Sequence, residues 1–192
     1  MANWQGAILT AKGRALAAKV EAGQCKLALT KFKVGDGQPA SLALEGLTDL
    51  VSPKQTITLS SCTPNDTGVC DVEGILTNND VSAGYYIREL GLFATDPDAG
   101  EILYAISTDP NPDYWQAKGS ATALAIAIHM QIAITSVDSV SAKLDPSGLV
   151  SVEDLQTHNQ ATDAHANLLQ VTSTADKPAS MADRGLWVEI VG

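Results

Sequence analysis

Three histidines are the side chains in this sequence best suited to proton transfer or metal binding. His158 and His165 are seven residues apart, so on a helix they would lie two turns apart on one side. In a three-stranded coil each would form a ring of imidazoles that could hold a metal ion or an anion. We favour the simpler interpretation that both face solvent. His129 lies on an alanine-rich strand face and is interpreted as a core or interface histidine rather than a base.

The sequence lacks the motifs of the common enzyme classes. It contains no Gly-x-Ser-x-Gly nucleophile motif, no glycine-rich phosphate loop ending in Lys-Ser or Lys-Thr, and no His-Glu-x-x-His zinc motif. Gly35-Asp36-Gly37 lacks the third glycine of a dinucleotide site and is interpreted as a turn. No pair of carboxylates occupies a recognisable hydrolytic site. We therefore expect no enzymatic activity, no metal and no cofactor.

Cys25, Cys62 and Cys70 are an odd number of cysteines, which predicts free thiols as the default state. A turn-rich segment, residues 63–68, separates the last two. They could therefore face each other across a hairpin and oxidise outside a cell, or stay reduced. Their spacing fits no zinc pattern.

One charged pair, Arg88-Glu89, is embedded in an otherwise apolar string that ends at Phe93. Adjacent strand residues point to opposite faces, so each of the two charges needs a partner of its own. A buried charge is tolerated only when it is paired. We expect a structural rather than a catalytic role for Arg88 and Glu89.

An N-terminal helix is predicted over Thr10 to Ala22, because alanine and leucine dominate this segment. Thr10 is a candidate N-cap, and Gly23 stands where a left-handed C-terminal residue is expected. Gly13 weakens the helix, since glycine is a poor helix former. Leu16 belongs to a narrow apolar stripe suited to packing against a sheet.

The pattern then changes to period two, which is typical of strands. One strand face is predicted to hold Ala28, Thr30, Phe32 and Val34, and the other to hold Leu27, Leu29, Lys31 and Lys33. Residues 38–53 are expected to be irregular, with a short helical turn. Further strands are predicted at residues 55–60, 69–77, 85–94, 101–108, 124–134, 140–144 and 186–190, with a hairpin turn at 96–100.

The clearest strand signal runs from Leu124 to Ile134, where every even-numbered position is apolar. That face is expected to join the core. The odd-numbered positions hold alanine, histidine and glutamine. Such a face suits contact with a helix or a neighbouring subunit better than open water.

After Val150 the spacing changes to alternating steps of three and four, which is typical of a heptad seam. A trimer seam formed by Val152, Leu155, Asn159 and Leu169 and an ordinary linker are equally compatible with the weak pattern. The fold class expected for the chain is α+β, mainly antiparallel β with an N-terminal helix, followed by a short helical or loop stalk. The expected domains are residues 1–150 and 151–192.

The composition excludes several classes of partner. The chain has 192 residues, 45% of them hydrophobic, and a formal net charge of −10. Nucleic acids and anionic membranes require a basic face, so neither is expected as a partner. No run of about 20 apolar residues predicts a membrane span, and no signal peptide is recognised, so folding in the cytoplasm is expected.

The charge is divided unevenly along the chain. Residues 1–33 hold six basic residues and one acidic residue, a formal +5, and the rest carries −15. The basic end is compatible with a plain solvated face or with a docking surface for an acidic partner.

Four separated strings together resemble one protein family. They are Ile8-Leu9-Thr10-x-x-Gly13, Val34-Gly35-Asp36-Gly37, Tyr86-Ile87-Arg88-Glu89-Leu90-Gly91-Leu92-Phe93 and Leu144-Asp145-Pro146-Ser147. Their order and spacing are similar to those of the N-terminal domain of phage tail-collar fibre proteins, over roughly residues 5–155. The segment from His158 to His165 also resembles the repeats by which such fibres enter their shafts.

The resemblance implies a structural virion protein, made late and assembled in the host cytoplasm, that fixes a tail fibre to the baseplate of a phage or a phage-tail-like particle. It implies a homotrimer with baseplate proteins, and a second fibre protein or a chaperone, as partners. Trp4, Lys12, Arg14 and Lys19 are the candidate baseplate-facing residues. A chain of 192 residues leaves no room for a long shaft and a receptor-binding tip, so we expect either a short fibre or adaptor, or the ordered end of something longer.

The alternative is a carbohydrate-binding host-adhesion module. It requires surface aromatic residues clustered on loops, because sugar rings stack on aromatic faces. Tyr114-Trp115 is the one candidate cluster in the sequence.

Overall fold

The computed structural model describes residues 4–39, 41–65, 68–118, 124–134, 139–144, 169–172 and 186–189. The chain divides into two compact units, Met1–Gly148 and Leu149–Gly192. The described residues form one α-helix, one 3₁₀ helix and twelve strands. In order these are β1 Ile8–Leu9, α1 Ala11–Glu21, β2 Leu27–Gly35, the 3₁₀ helix Ser41–Gly46, β3 Pro53–Pro64, β4 Val69–Thr77, β5 Tyr85–Tyr86, β6 Glu89–Asp96, β7 Gly100–Thr108, β8 Tyr114–Trp115, β9 Ala125–Ala133, β10 Val140–Ala142, β11 Leu169–Thr172 and β12 Leu186–Glu189.

The first unit is built on one sheet with the strand order β1-β7-β6-β2-β3-β4-β9. All neighbours along this order are antiparallel. The short strand β10 lies off this path and pairs with β2 in parallel. β5 and β8 form a separate two-stranded antiparallel ribbon. A mainly antiparallel fold with an N-terminal helix is therefore confirmed.

The helix α1 begins and ends where the sequence predicts. The Thr10 hydroxyl accepts a hydrogen bond from the Gly13 amide at 2.9 Å, and Gly23 has a φ of 70° after the last turn. Gly13 also has a packing role that the sequence does not predict. A β-carbon there would overlap the backbone carbonyl of Tyr104 in β7, so glycine is what allows the helix to approach the sheet so closely. Leu16, fully buried, fills the space beneath the helix.

Strand β2 does not alternate in the simple way that its sequence predicts. Its register shifts between Leu29 and Lys31, the signature of a β-bulge. The extra residue changes the phase of the strand, so Leu29 and Phe32 are buried in the same core rather than on opposite faces. The prediction that β2 keeps the same two faces along its whole length is therefore wrong, because the bulge inserts one extra residue into the alternation.

The predicted strand at residues 85–94 is divided in two. Tyr85–Tyr86 pairs with Tyr114–Trp115, whereas Glu89–Asp96 enters the main sheet between β2 and β7. The chain leaves the ladder at Ile87, whose amide donates to the Asp113 carbonyl at 3.0 Å. The predicted hairpin is confirmed by the pairing of Asp96 with Gly100.

Two apolar clusters lie against this sheet. The larger cluster includes Leu16 and residues from β2, β3, β4, β6, β7 and β9. The smaller cluster packs Leu44, Leu50, Phe93, Leu103 and Ile106 together. Side chains of β6 and β7 enter both clusters, because a central strand covered on two sides carries apolar residues on both faces.

The predicted hairpin between Cys62 and Cys70 is formed by β3 and β4. The two sulfur atoms are 3.0 Å apart, and both cysteines are free thiols. Cys70 is buried and Cys62 is half-buried, so the pair lies at the edge of the larger apolar cluster.

In the second unit, β11 pairs with β12 in parallel. The predicted strand at residues 186–190 is found as Leu186–Glu189. Leu169, assigned from spacing to a helical seam, is instead the first residue of β11, so a helix at this position is wrong. The other seam residues, Val152, Leu155 and Asn159, lie outside the described residues, as do His158 and His165.

Candidate functional sites: the Glu89 cluster and the aromatic groove

Glu89 is a fully buried carboxylate at the start of β6. Its Oε2 accepts hydrogen bonds from the backbone amides of Gly37 at 2.9 Å and Ser52 at 3.1 Å. Its Oε1 accepts one from the amide of Val51 at 2.9 Å. Three backbone N–H groups, rather than a cationic side chain, are therefore the hydrogen-bond partners of this buried carboxyl group.

Gly35 and Gly37 make room for this carboxylate. A β-carbon on Gly35 would lie 2.6 Å from Glu89 Oε2 and 2.7 Å from the Ser52 carbonyl oxygen. A β-carbon on Gly37 would overlap the same carboxylate oxygen. The Gly35-Asp36-Gly37 turn is thus a close-approach site, which glycine alone permits without displacing the backbone.

Arg88 precedes β6 and has a partner of its own, as the sequence analysis expects. Its guanidinium lies 3.1 Å from Asp36 Oδ1 and stacks over the Tyr86 ring at 4.7 Å from the centroid. Its backbone amide donates to the Gly35 carbonyl at 2.8 Å. The five residues singled out in the sequence, Gly35, Asp36, Gly37, Arg88 and Glu89, therefore meet in one place, here called the Glu89 cluster.

The two charged side chains of the Arg88-Glu89 pair have separate partners in the Glu89 cluster. The carboxylate of Glu89 is enclosed by main-chain donors, and the guanidinium of Arg88 faces Asp36 across a separate contact. The cluster joins three chain segments around residues 35–37, 51–52 and 88–89. Its chemistry is that of a structural joint.

The basic residues of the N-terminal segment are largely neutralised by acidic neighbours. Lys19 Nζ lies 2.8 Å from both carboxylate oxygens of Asp96 and 2.8 Å from Asp98. These hydrogen bonds, that to Asp96 first, raise the pKa of Lys19, and the contact with Lys19 is the main cause that lowers the pKa of Asp96. The other ion pairs are Arg14 with Glu45, Lys31 with Glu101 and Lys33 with Asp49.

The four candidate docking residues do not form one patch in the described part of the chain. Lys12, Arg14 and Lys19 lie on α1, and the last two are engaged in the ion pairs above. Lys12 is exposed without an ion pair to any described residue. Trp4 lies elsewhere, in a groove of about 420 Å³.

We call this the aromatic groove, because Trp4, Tyr114 and Trp115 line it together with Ile126, Ala127 and His129 of β9. The sequence predicts Tyr114-Trp115 as a sugar-stacking pair, but Trp115 is only 5% exposed, so its face is not available. Tyr114 is exposed and meets Tyr86 edge-on, with 5.2 Å between the ring centroids.

The outer face of β9 is open. Its five odd-numbered residues, Ala125, Ala127, His129, Gln131 and Ala133, are all exposed. Of the two alternatives for His129, a core position is excluded by its exposure and an interface position stays a prediction; its Nδ1 lies 3.6 Å from Asp71 Oδ2. The even-numbered face joins the core as predicted, with Ile128, Met130 and Ile132 buried.

No group of three or more His, Cys, Asp or Glu residues in the described ranges is arranged to hold a metal ion. Likewise, none of the helices described is long and apolar enough to span a membrane.

Comparison with known proteins identifies one family. The family model described as phage tail-collar fibre protein, N-terminal, matches residues 1–154. No curated protein and no solved structure matches the chain.

Proposed function

Because the chain belongs to the phage tail-collar fibre protein family, matched over residues 1–154, we propose that it anchors a tail fibre to the baseplate of a phage or a phage-tail-like particle. The family assigns it to the virion tail as a structural protein. In the proposal it is assembled in the host cytoplasm and acts as a short fibre or as an adaptor for a second fibre protein.

The observation that best supports this proposal is the Glu89 cluster. Two strings that carry the family resemblance, residues 34–37 and 86–93, are far apart in the sequence and meet at one buried carboxylate. A joint of this kind fixes the relative positions of β2, β6 and the segment before β3. An anchor domain transmits force between partners, so rigid connection of its strands is what its function requires.

The proposal includes a homotrimer held by a seam at Val152, Leu155 and Asn159. A mass measurement of the full chain in solution is expected to give a trimer, and Leu155→Asp is expected to dissociate it, because a charge on the seam is buried without a partner. Asp154→Asn, beside the seam position, is the matched control. A wild-type chain that is a stable monomer would contradict the seam.

The anchoring role is tested on assembled particles. Loss of this chain is expected to leave tails without fibres, and labelled full-length chain is expected at the baseplate end in electron micrographs. Tails that keep their fibres without this chain would contradict the role.

The contribution of α1 is tested by point substitution, because deletion of the first 35 residues would remove the central strand β2. Lys12→Glu reverses the exposed charge on α1 and is expected to lower incorporation of the chain into particles. Lys143→Glu reverses an equally exposed charge near β10 and is the control. Equal incorporation of the two variants would remove α1 from the docking surface.

A further inference from the structure

The outer edge of β9 is unpaired in the described part of the chain. On its other side β9 pairs with β4 over nine consecutive residues, Ala125 to Ala133, with no shift of register. An edge strand of this length presents a row of main-chain N–H and C=O groups that can pair with another chain.

Protein sheets normally protect such edges with charged side chains, proline or a bulge. Strand β9 has none of these: its sequence, Ala-Ile-Ala-Ile-His-Met-Gln-Ile-Ala, contains no Lys, Arg, Asp, Glu or Pro, and its pairing with β4 has no bulge. Only the exposed His129 can become charged. An edge this long and this neutral is a template for an added strand.

The aromatic groove runs along the same edge. Its β9 wall contains consecutive residues, Ile126, Ala127 and His129 among them, that belong to both faces of the strand, so the groove follows the strand edge rather than one face. Trp4 and Tyr114 form part of the remaining lining. Ile126 is 43% exposed, although Ile128, the next residue on the even-numbered face, is buried.

The groove also contains an unsatisfied donor. Trp115 lines it, and its indole Nε1 is buried without a hydrogen-bond partner among the described residues. A buried donor without an acceptor is costly. The Trp115 indole is therefore a polar group that the described chain leaves unpaired beside the groove.

The charge around the edge favours a basic partner over a second copy of this chain. No lysine or arginine lines the groove, and Asp113 does. On β4, Asp71 and Glu73 stand opposite Gln131 and His129, and Asp71 Oδ1 has no hydrogen-bond partner. A second copy of this chain carries the same net charge of −10, and this repulsion opposes pairing between two copies.

We propose that an extended segment of a second tail-particle protein, apolar at alternate positions and carrying a lysine or arginine, pairs with the outer edge of β9. Its apolar side chains occupy the aromatic groove beside Ile126 and Tyr114, and its basic residue faces Asp71 and Glu73. Main-chain hydrogen bonds supply affinity in this mode of recognition, and the pockets for alternate side chains supply specificity. The inference rests on the proposed function, because a particle protein supplies the strand.

The test compares amide hydrogen exchange of the isolated full-length chain with that of the same chain in assembled tail particles. Exchange within residues 125–133 is expected to slow by about tenfold or more in the particle, because the outer amides of β9 acquire partners. A photo-crosslinking amino acid in place of Tyr114 is expected to capture one particle protein, through a segment that contains a basic residue.

Ile126→Lys is expected to prevent incorporation into particles, since it places a positive charge where the proposed segment is apolar and basic. Leu144→Lys is the matched control, because Leu144 is 48% exposed and lies outside the groove. Circular dichroism of both variants establishes that each is folded. Incorporation of a folded Ile126→Lys variant at the wild-type level would overturn the inference.

Failure of the strand proposal can be distinguished from failure of the proposed anchoring role. A chain that is present in the particle but has unchanged exchange in β9 overturns the strand proposal and leaves the anchoring role intact. A chain that is absent from the particle overturns both. Crosslinks from position 114 only to other copies of this chain assign the groove to self-association and overturn the basic partner. Slower exchange around Tyr114 on addition of host polysaccharide, with β9 unchanged, assigns the groove to a glycan instead.

Discussion

Gly37 and Glu89 are 52 residues apart in the chain and are in direct contact in the folded structure. The amide of Gly37 donates to the Glu89 carboxylate at 2.9 Å, and a β-carbon on Gly37 would overlap the oxygen that accepts this hydrogen bond. Any residue except proline would supply this amide, so glycine is required because its missing side chain leaves room for the carboxylate. This relationship brings the Gly-Asp-Gly string and the Arg-Glu string of this sequence together at one site.

Replacement of Glu89 by glutamine is expected to lower the free energy of unfolding by about 1–3 kcal/mol, because it opposes an amide N–H₂ group to a backbone N–H donor. Oε1 and Oε2 both accept from the main chain, so neither orientation of the glutamine avoids the conflict. Urea denaturation measures the loss. Glu45→Gln, which affects an exposed ion pair with Arg14, is the control and is expected to cost at most about 1 kcal/mol. Equal effects of the two substitutions would contradict the buried role of Glu89.

Gly13→Ala sets two effects against each other. Alanine improves helix propensity by about 1 kcal/mol over glycine. The added methyl group, however, overlaps the Tyr104 carbonyl, which also accepts a hydrogen bond from the Thr10 amide at 3.1 Å. We expect a net destabilisation of about 1–3 kcal/mol, typical of overpacking. A more stable variant in urea denaturation would show that the helix can move away from the sheet.

The matched control is Ala18→Gly, at an exposed position of the same helix. It is expected to lose about 1 kcal/mol through propensity alone. Comparison of the two variants separates the effect of helix propensity on stability from the effect of the contact between the helix and the sheet.

The ion pair between Lys19 and Asp96 predicts a dependence of stability on pH. The pKa of Asp96 is lower in the folded chain than its ordinary value of 3.8, first because of the hydrogen bond to Lys19 and then because of the amide of Asp98. A carboxyl group with a lowered native pKa stabilises the fold above its unfolded pKa, and this contribution disappears as the pH falls through the native value. The stability difference between wild type and Asp96→Asn is therefore expected to be constant between about pH 5 and 7 and to shrink below about pH 4.

Denaturation midpoints measured across this pH range give the result. Asp98→Asn is the control, because the Asp98 carboxylate is 79% exposed and contacts the same lysine. A stability difference between wild type and Asp96→Asn that grows as the pH falls would contradict this prediction.

The thiols of Cys62 and Cys70 are expected to form a disulfide with a mild oxidant such as diamide, since their sulfur atoms are already 3.0 Å apart. In the reduced chain, burial and then the neighbouring Cys62 raise the pKa of Cys70 to about 12. Because the thiolate is the nucleophile, iodoacetamide at neutral pH should label Cys70 at least about tenfold more slowly than Cys25. Peptide mass spectrometry reads both results, and a disulfide that involves Cys25 would contradict the pairing.

The sequence by itself determined the elements whose causes are local. The bounds of α1 follow from Thr10 and Gly23, because capping acts within one turn of the helix. Strand β4 was predicted at its observed bounds, since alternation along nine residues needs no distant information. The four strings that carry the family resemblance are likewise recognisable in the sequence alone, and they indicate a tail-fibre domain without any knowledge of the contacts between them.

Tertiary structure alone decided how those elements are used. The bulge in β2 shifts the phase of Leu29 against Phe32, which is visible only once β6 lies alongside. Val51 and Ser52 donate hydrogen bonds to Glu89 from their backbone amides. Because every residue except proline has such an amide, the residue types at these positions do not reveal the donors. The sequence alone indicates a basic surface at the N-terminal segment. In the folded chain most of its basic side chains form ion pairs with acidic residues from distant segments, such as residues 96–101. These outcomes depend on contacts between residues far apart in the chain, and no pattern confined to one segment contains them.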